Sequence, residues 1–229
     1  NLAFQNNQLG TPFMRPLFFE ESENKSLNSN SKAYLWGNDF LISPILKPGI
    51  QTQDVYFPKT ANWFNFYSGE KIAGGQTKNI KVLESTIPTF VRAGAFIPMA
   101  SAMQNTEDYD ANFIELHYYH DAAVSKSERQ LYIDNGLLSN AFEKGNYELL
   151  HFGASFTKRC LEIDFEAEFG ENWNPKNKDI QLVIHNVDWI PKKIKVGRKR
   201  VRVSPKQKIL TIPLIWKVAR KLKVKITYN

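Results

Sequence analysis

In the stretch 192-KKIKVGRKRVRV-203, Ile194, Val196, Val201 and Val203 alternate with Lys193, Lys195, Arg200 and Arg202. Successive side chains of an extended chain point to opposite faces. Period two with one apolar face is the pattern of half-buried antiparallel strands. The run 222-LKVKITY-228 repeats it. The end of the chain therefore reads as β-hairpins with basic solvent faces.

The charge is concentrated there. From residue 190 to 229 there are fourteen Lys or Arg and no Asp or Glu, and the other residues carry 16 bases against 23 acids. Such asymmetry raises a polyanion-binding domain as one reading. The alternation supports a solvated face, on which edge lysines also discourage aggregation. A composition of 42% hydrophobic and 13% aromatic residues supplies a core and argues against disorder. No run of eighteen apolar residues is present, so no membrane-spanning helix is expected. Cys160 is the one cysteine, which excludes an internal disulfide and a cysteine metal site.

Helical period is nearly absent beyond the first ten residues. Short strand-like runs follow one another at 13–19, 39–46, 53–58, 63–68, 79–84 and 89–98, separated by Gly, Pro and Asn. The polar stretch 101-SAMQNTEDYD-110 is the best boundary, after which strands resume at 112–119, 129–134, 147–152, 155–168 and 180–185. In 1-NLAFQNNQLGTP-12, Gly10 and then Pro12 form a helix stop with no N-cap before it. We read residues 1–10 as the end of a truncated helix, 11–102 as one β-sandwich, 103–110 as a linker and 111–229 as a second sandwich. The fold class is all-β, two consecutive antiparallel sandwiches.

Four further runs carry a family resemblance. They are 10-GTPFMRPLFFEE-21, 34-YLWGNDFLISPIL-46, 55-VYFPKTANWFNFYSGEKIAGGQT-77 and 87-IPTFVRAGAFIPM-99. In this order they resemble the segments that follow the last barrel helix in glycoside hydrolase family 31. The matching positions include Gly10, Pro12, Arg15, Pro16, Gly37, Pro44, Tyr56, Pro58, Trp63, Gly69, Pro88, Arg92, Gly94 and Pro98. The run 131-LYIDNGLLSNAFEKGNYELL-150 resembles the signature of that family's distal domain through Tyr132, Asp134, Gly136 and Gly145, and departs from it at Ile133 and Asn135.

The resemblance implies an enzyme with a (β/α)₈ barrel and two C-terminal sandwiches, mostly a retaining α-glucosidase or α-xylosidase. Retention needs two carboxylates about 5 Å apart. In the family both are barrel aspartates upstream of the last helix. No residue here takes a catalytic role, and the chain alone is expected to be inactive. The partner implied is the catalytic barrel of the same polypeptide. The Asn- and Lys-rich composition points to a bacterial source, and the compartment stays unknown, with a periplasmic or secreted parent as the expectation.

Asp134 and Glu143 sit at turns, and Asp134 precedes the Asn135–Gly136 turn signal. An EF-hand with Gly136 at its sixth position puts Leu131, Ile133 and Phe142 where acids are needed, and fails. His117 and His120, three apart on a strand, point to opposite faces, and His185 reads as a core histidine. Neither a metal nor a cofactor is expected. Trp173, on the polar loop 170–179, is the candidate platform for stacking on an oligosaccharide, which makes a carbohydrate-binding module the alternative function. Nucleic acid is not an expected partner.

Overall fold

The computed structural model describes residues 1–228. They form two compact units, Leu2–Ala93 and a second that comprises Asn1 and the chain from Gly94 onward.

In the first unit, α1 (Leu2–Leu9) ends at Gly10, whose φ of 66° and N–H bond to Asn6 O (2.8 Å) make a left-handed cap. Eight strands follow: β1 (Met14–Pro16), β2 (Tyr34–Trp36), β3 (Phe40–Ile42), β4 (Thr52–Phe57), β5 (Trp63–Asn65), β6 (Lys71–Ile72), β7 (Gln76–Lys81) and β8 (Thr89–Arg92). Six of them form a sheet in the order β1-β2-β3-β8-β5-β6, and β4 and β7 pair as a separate ribbon. Leu35, Leu41, Trp63 and Phe90 from the sheet meet Val55, Phe57 and Ile80 from the ribbon in one core, with Phe57 edge-on to Phe90 at 4.7 Å.

The second unit holds β9 (Phe96–Met99), β10 (Phe113–Tyr119), β11 (Lys126–Asp134), β12 (Tyr147–Thr157), β13 (Cys160–Phe169), β14 (Lys178–His185), β15 (Pro191–Val196), β16 (Lys199–Val201), β17 (Leu210–Trp216) and β18 (Leu222–Tyr228). A four-stranded sheet, β17-β14-β10-β9, faces a six-stranded one, β11-β12-β13-β18-β15-β16. Leu116, Ile180, Leu182 and Ile212 of the first pack with Phe152, Ile163, Phe165, Val224 and Ile226 of the second. The all-β architecture expected from the sequence is present.

Three details differ from the sequence reading. The run 89–98 is two strands, not one. Gly94 turns the chain at φ 82°, its N–H bonds Tyr119 O at 2.7 Å, and a Cβ there would come within 2.8 Å of Val124. The units therefore divide at Ala93–Gly94, before the linker expected at 103–110, and β9 pairs with β10. The run 155–168 is likewise split, by a two-residue turn at Lys158–Arg159 between Thr157 and Cys160. Finally, β10 and β14 pair in parallel, because β11 to β13 cross to the other sheet before the chain returns.

On the outer side of β13 and β18, charges pair across strands. Glu162 bonds Lys223 (2.8 Å) and Lys225, Asp164 lies 3.3 Å from Lys223, and Glu166 pairs with Lys221 at 2.7 Å. Hydrogen bonds from Lys223 and Lys225 outweigh burial and hold the Glu162 carboxyl at about 2. A lowered pKa contributes stability that is full above the ordinary 4.5 and is lost as pH falls through about 2. Thermal melts of wild type and Glu162→Gln should therefore differ at pH 6, with the variant less stable. The gap should close as the pH approaches 2.

Candidate functional site

The three acids of 131–150 are placed differently: Asp134 shapes a turn, Glu143 is exposed in one, and Glu148 is buried. Asp134 ends β11, and its Oδ1 accepts the Gly136 N–H at 2.8 Å, while Asn135 Oδ1 accepts that of Leu137 at 3.1 Å. Gly136, at φ 66°, carries the turn. The chain then loops over residues 135–146 before β12. Gly145 (φ 63°) and Gly170 hold this loop to the next, since a Cβ on Gly170 would fall 2.3 Å from the Gly145 carbonyl oxygen. Glu148 is fully buried and pairs with buried Lys178. A buried pair of opposite charge is an internal tie.

The histidines are arranged in a way that spacing alone did not show. His117 does not work with His120. Its Nδ1 lies 2.7 Å from Nε2 of His185, and its Nε2 lies 2.6 Å from Glu115. Tyr119 stacks on His185 at 4.3 Å. Burial, and then the neighbouring His117, push His185 down to about 4, so it is neutral near pH 7. Among the described residues, no group of three or more His, Cys, Asp or Glu is placed to hold a metal ion. Among the described residues, no helix is long and apolar enough to cross a membrane.

Trp173 is not the free platform that its polar loop suggested. It is half-buried against the second core, with its indole N–H buried and unpartnered. Exposed aromatic surface lies instead on the first unit. Strand register aligns Met14, Trp36, Phe40, Val91 and Phe64 across β1, β2, β3, β8 and β5. This row is on the face of the sheet opposite Leu35, Leu41 and Phe90, so the sheet is apolar on both sides. Val91 and Phe64 are buried, Phe40 is half-buried, and Trp36 and Met14 are 50% and 63% exposed. Phe66, two residues after Phe64 on the same side, lies 6.1 Å from Phe40 and carries Tyr67 edge-on at 5.3 Å. Asn65 Oδ1 accepts the N–H groups of Tyr67 and Ser68 at 2.9 Å each, and Gly69 at φ 71° closes that turn. The turn thus sets the backbone from which the two rings project.

Behind this face the signature residues form a rigid frame. Arg92, at the end of β8, pairs with Glu20 at 2.9 Å, donates to Asn38 O (2.7 Å) and Thr60 Oγ1 (3.1 Å), and lies over the Trp63 ring at 4.7 Å. Arg15 donates to Gly37 O and Asn38 Oδ1, both at 2.7 Å. The Glu21 carboxylate accepts from Lys59 N–H (2.6 Å) and the Tyr56 hydroxyl (3.0 Å). Burial raises its pKa, but those bonds and that of Asn24 prevail and hold it below the ordinary value. Gly74 has no room for a side chain, because a Cβ would lie 2.1 Å from Ala61 O.

Residues 10–97 match the family model described as "Glycosyl hydrolase family 31 C-terminal domain". The chain is 32% identical over 163 residues to an alpha-xylosidase of Saccharolobus solfataricus, covering 71% of this chain and 22% of that protein. To alpha-glucosidase 2 of Bacillus thermoamyloliquefaciens it is 29% identical over 206 residues, covering 90% of this chain and 25% of that one. It thus spans a quarter or less of these relatives. Among solved structures, the family 31 dextranase of Flavobacterium johnsoniae in complex with glucose superposes with a TM-score of 0.86 at 20% identity, over 99% of this chain and 30% of that one.

The open aromatic face makes a direct prediction. The 229-residue chain should bind a hydrophobic dye through it. Trp36→Ser with Tyr67→Ser should cut that fluorescence by more than about half and leave the melting temperature nearly unchanged, because exposed positions add little to the fold. Unchanged fluorescence would mean that the dye reports another surface.

Proposed function

The chain belongs to the C-terminal region of glycoside hydrolase family 31, and from that membership we propose that it is the non-catalytic part of a retaining α-glycosidase, bracing the catalytic barrel of the same polypeptide. The observation that carries this reading is the apolar outer face of the six-stranded sheet around Trp36, Phe40, Phe66 and Tyr67. A sheet with one face in its own core ordinarily turns a polar face to water. Here the second face holds aromatics, kept in place by the Asn65 turn and backed by the Arg92 frame. Covering such side chains stabilises by about 1.5–3 kcal/mol each. The occupant is the barrel, whose outer wall would gain a rigid buttress.

The chemistry of the described acids fits a bracing role. Asp134 is spent on a turn, Glu148 on a buried lysine, Glu162 on two lysines and Glu20 on Arg92. In each of these four the carboxylate is engaged by a structural partner, whereas glycoside cleavage needs a carboxylate pair set about the scissile bond. The substrate class, α-glucosides or related α-linked sugars, would be set on the barrel.

Nitrophenyl α-glucoside and nitrophenyl α-xyloside test the reading on the isolated chain. No turnover above the buffer rate is expected with either. Turnover that Asp134→Asn or Glu143→Gln abolishes would place catalysis in this chain and overturn it.

A further inference from the structure

The basic end of the chain divides into two parts that the sequence does not distinguish. On β18, Lys223 and Lys225 are answered by Glu162 and Asp164 of β13. The β15–β16 hairpin has no such answer. Lys195 stands directly opposite Lys225 on one side and Arg200 on the other, so three cations lie in one row across the sheet. Lys193, two residues before Lys195 on the same face, Arg198 in the hairpin turn and Arg202 just past β16 extend this surface, and among the described residues none of these side chains has an ion-pair partner. Like charges placed directly opposite destabilise a sheet. Protecting the open edge at β16 needs a lysine or two, not a row across neighbouring strands. The neighbouring β13–β18 pair shows how this fold balances charge where nothing else supplies it.

We propose that the outer face of the β15–β16 hairpin binds an acidic polysaccharide, a polymer with a carboxylate on its sugar units. Same-face positions along a strand repeat at about 6.6–6.8 Å and neighbouring strands at about 4.8 Å, which gives a flat lattice of cations for an extended polyanion. Guanidinium groups at Arg200 and Arg202 match carboxylates as a two-pronged fork. Single-stranded nucleic acid fits less well, since it needs exposed rings for base stacking. Trp189 and Tyr228, the aromatics next to these strands in sequence, stack on each other at 4.2 Å and are largely buried. An anionic membrane would call for an apolar insertion surface, and beside the hairpin only Ile190 is a strongly exposed large apolar residue. The proposal does not depend on the bracing role.

The test is retention of the 229-residue chain on immobilised polygalacturonate, with dextran as the neutral control and a single-stranded oligonucleotide and anionic phospholipid vesicles as competing arms. The wild type should bind polygalacturonate but not dextran, and binding should weaken strongly between about 50 and 200 mM salt. Replacing Lys193, Lys195, Arg200 and Arg202 by Gln together should weaken it by about tenfold or more, with a melting temperature equal or higher because like charges are removed. Arg200→Gln alone should give a partial loss, whereas Lys221→Gln, whose lysine is paired with Glu166, should change binding by less than about twofold. The proposal is overturned if polygalacturonate is not retained at low salt or if the single and quadruple variants bind as wild type does. Tighter binding of oligonucleotide or vesicles than of polygalacturonate overturns it equally.

Discussion

A β-sheet that is apolar on both faces has to be covered twice. In the first unit the inner face of the six-stranded sheet is covered by the β4–β7 ribbon, through Val55, Phe57 and Ile80. The outer face carries Trp36 and Phe40 in line with Val91 and Phe64, with Phe66 beside Phe40. Strands such as 34-YLW-36, 40-FLI-42 and 89-TFVR-92 are written for this situation, since continuous apolar runs belong to strands buried on both sides. In the proposed bracing role, the second cover of this sheet is the catalytic barrel.

The frame beneath that face explains why the family motifs look as they do. Arg92 ties its own strand to three other stretches of chain, at Glu20, at Asn38 and at Thr60–Trp63. Lysine could not make the same set of bonds, because the planar guanidinium donates in several fixed directions while one face stacks on the indole. Gly74 and Gly94 leave no room for a side chain, and Gly69 and Gly136 take up positive φ. These positions serve architecture. In the second unit the same economy appears in the Glu148–Lys178 tie and the β13–β18 ladder.

Much of this was legible from period and punctuation. The alternation in 192–203 gives β15 and β16 with the right faces, and Gly10 gives the end of α1. What escaped was decided at longer range. The turn inside 89–98 depends on Gly94 meeting Tyr119 O, a partner 25 residues away in sequence. The strand β17 carries Pro213, a residue that demotes a run in sequence, and it survives because it lies at a sheet edge. The parallel pairing of β10 with β14 brings His117 beside His185, and no local pattern encodes that. The setting of Trp173 is likewise decided at long range. Its neighbours in sequence are polar, but its neighbours in space are the second core.

The bracing claim predicts that one substitution has opposite consequences in two settings. Trp36→Asp puts a charge on the outer face without touching the inner core. In the isolated chain it should leave the melting temperature within a few degrees of wild type, as for an exposed position. In the polypeptide that joins this chain to its catalytic barrel, it should lower the melting temperature clearly and reduce α-glycosidase turnover. Equal melting temperatures and turnover for wild type and variant in the joined polypeptide would contradict the account, because the face would then be open to water there as well.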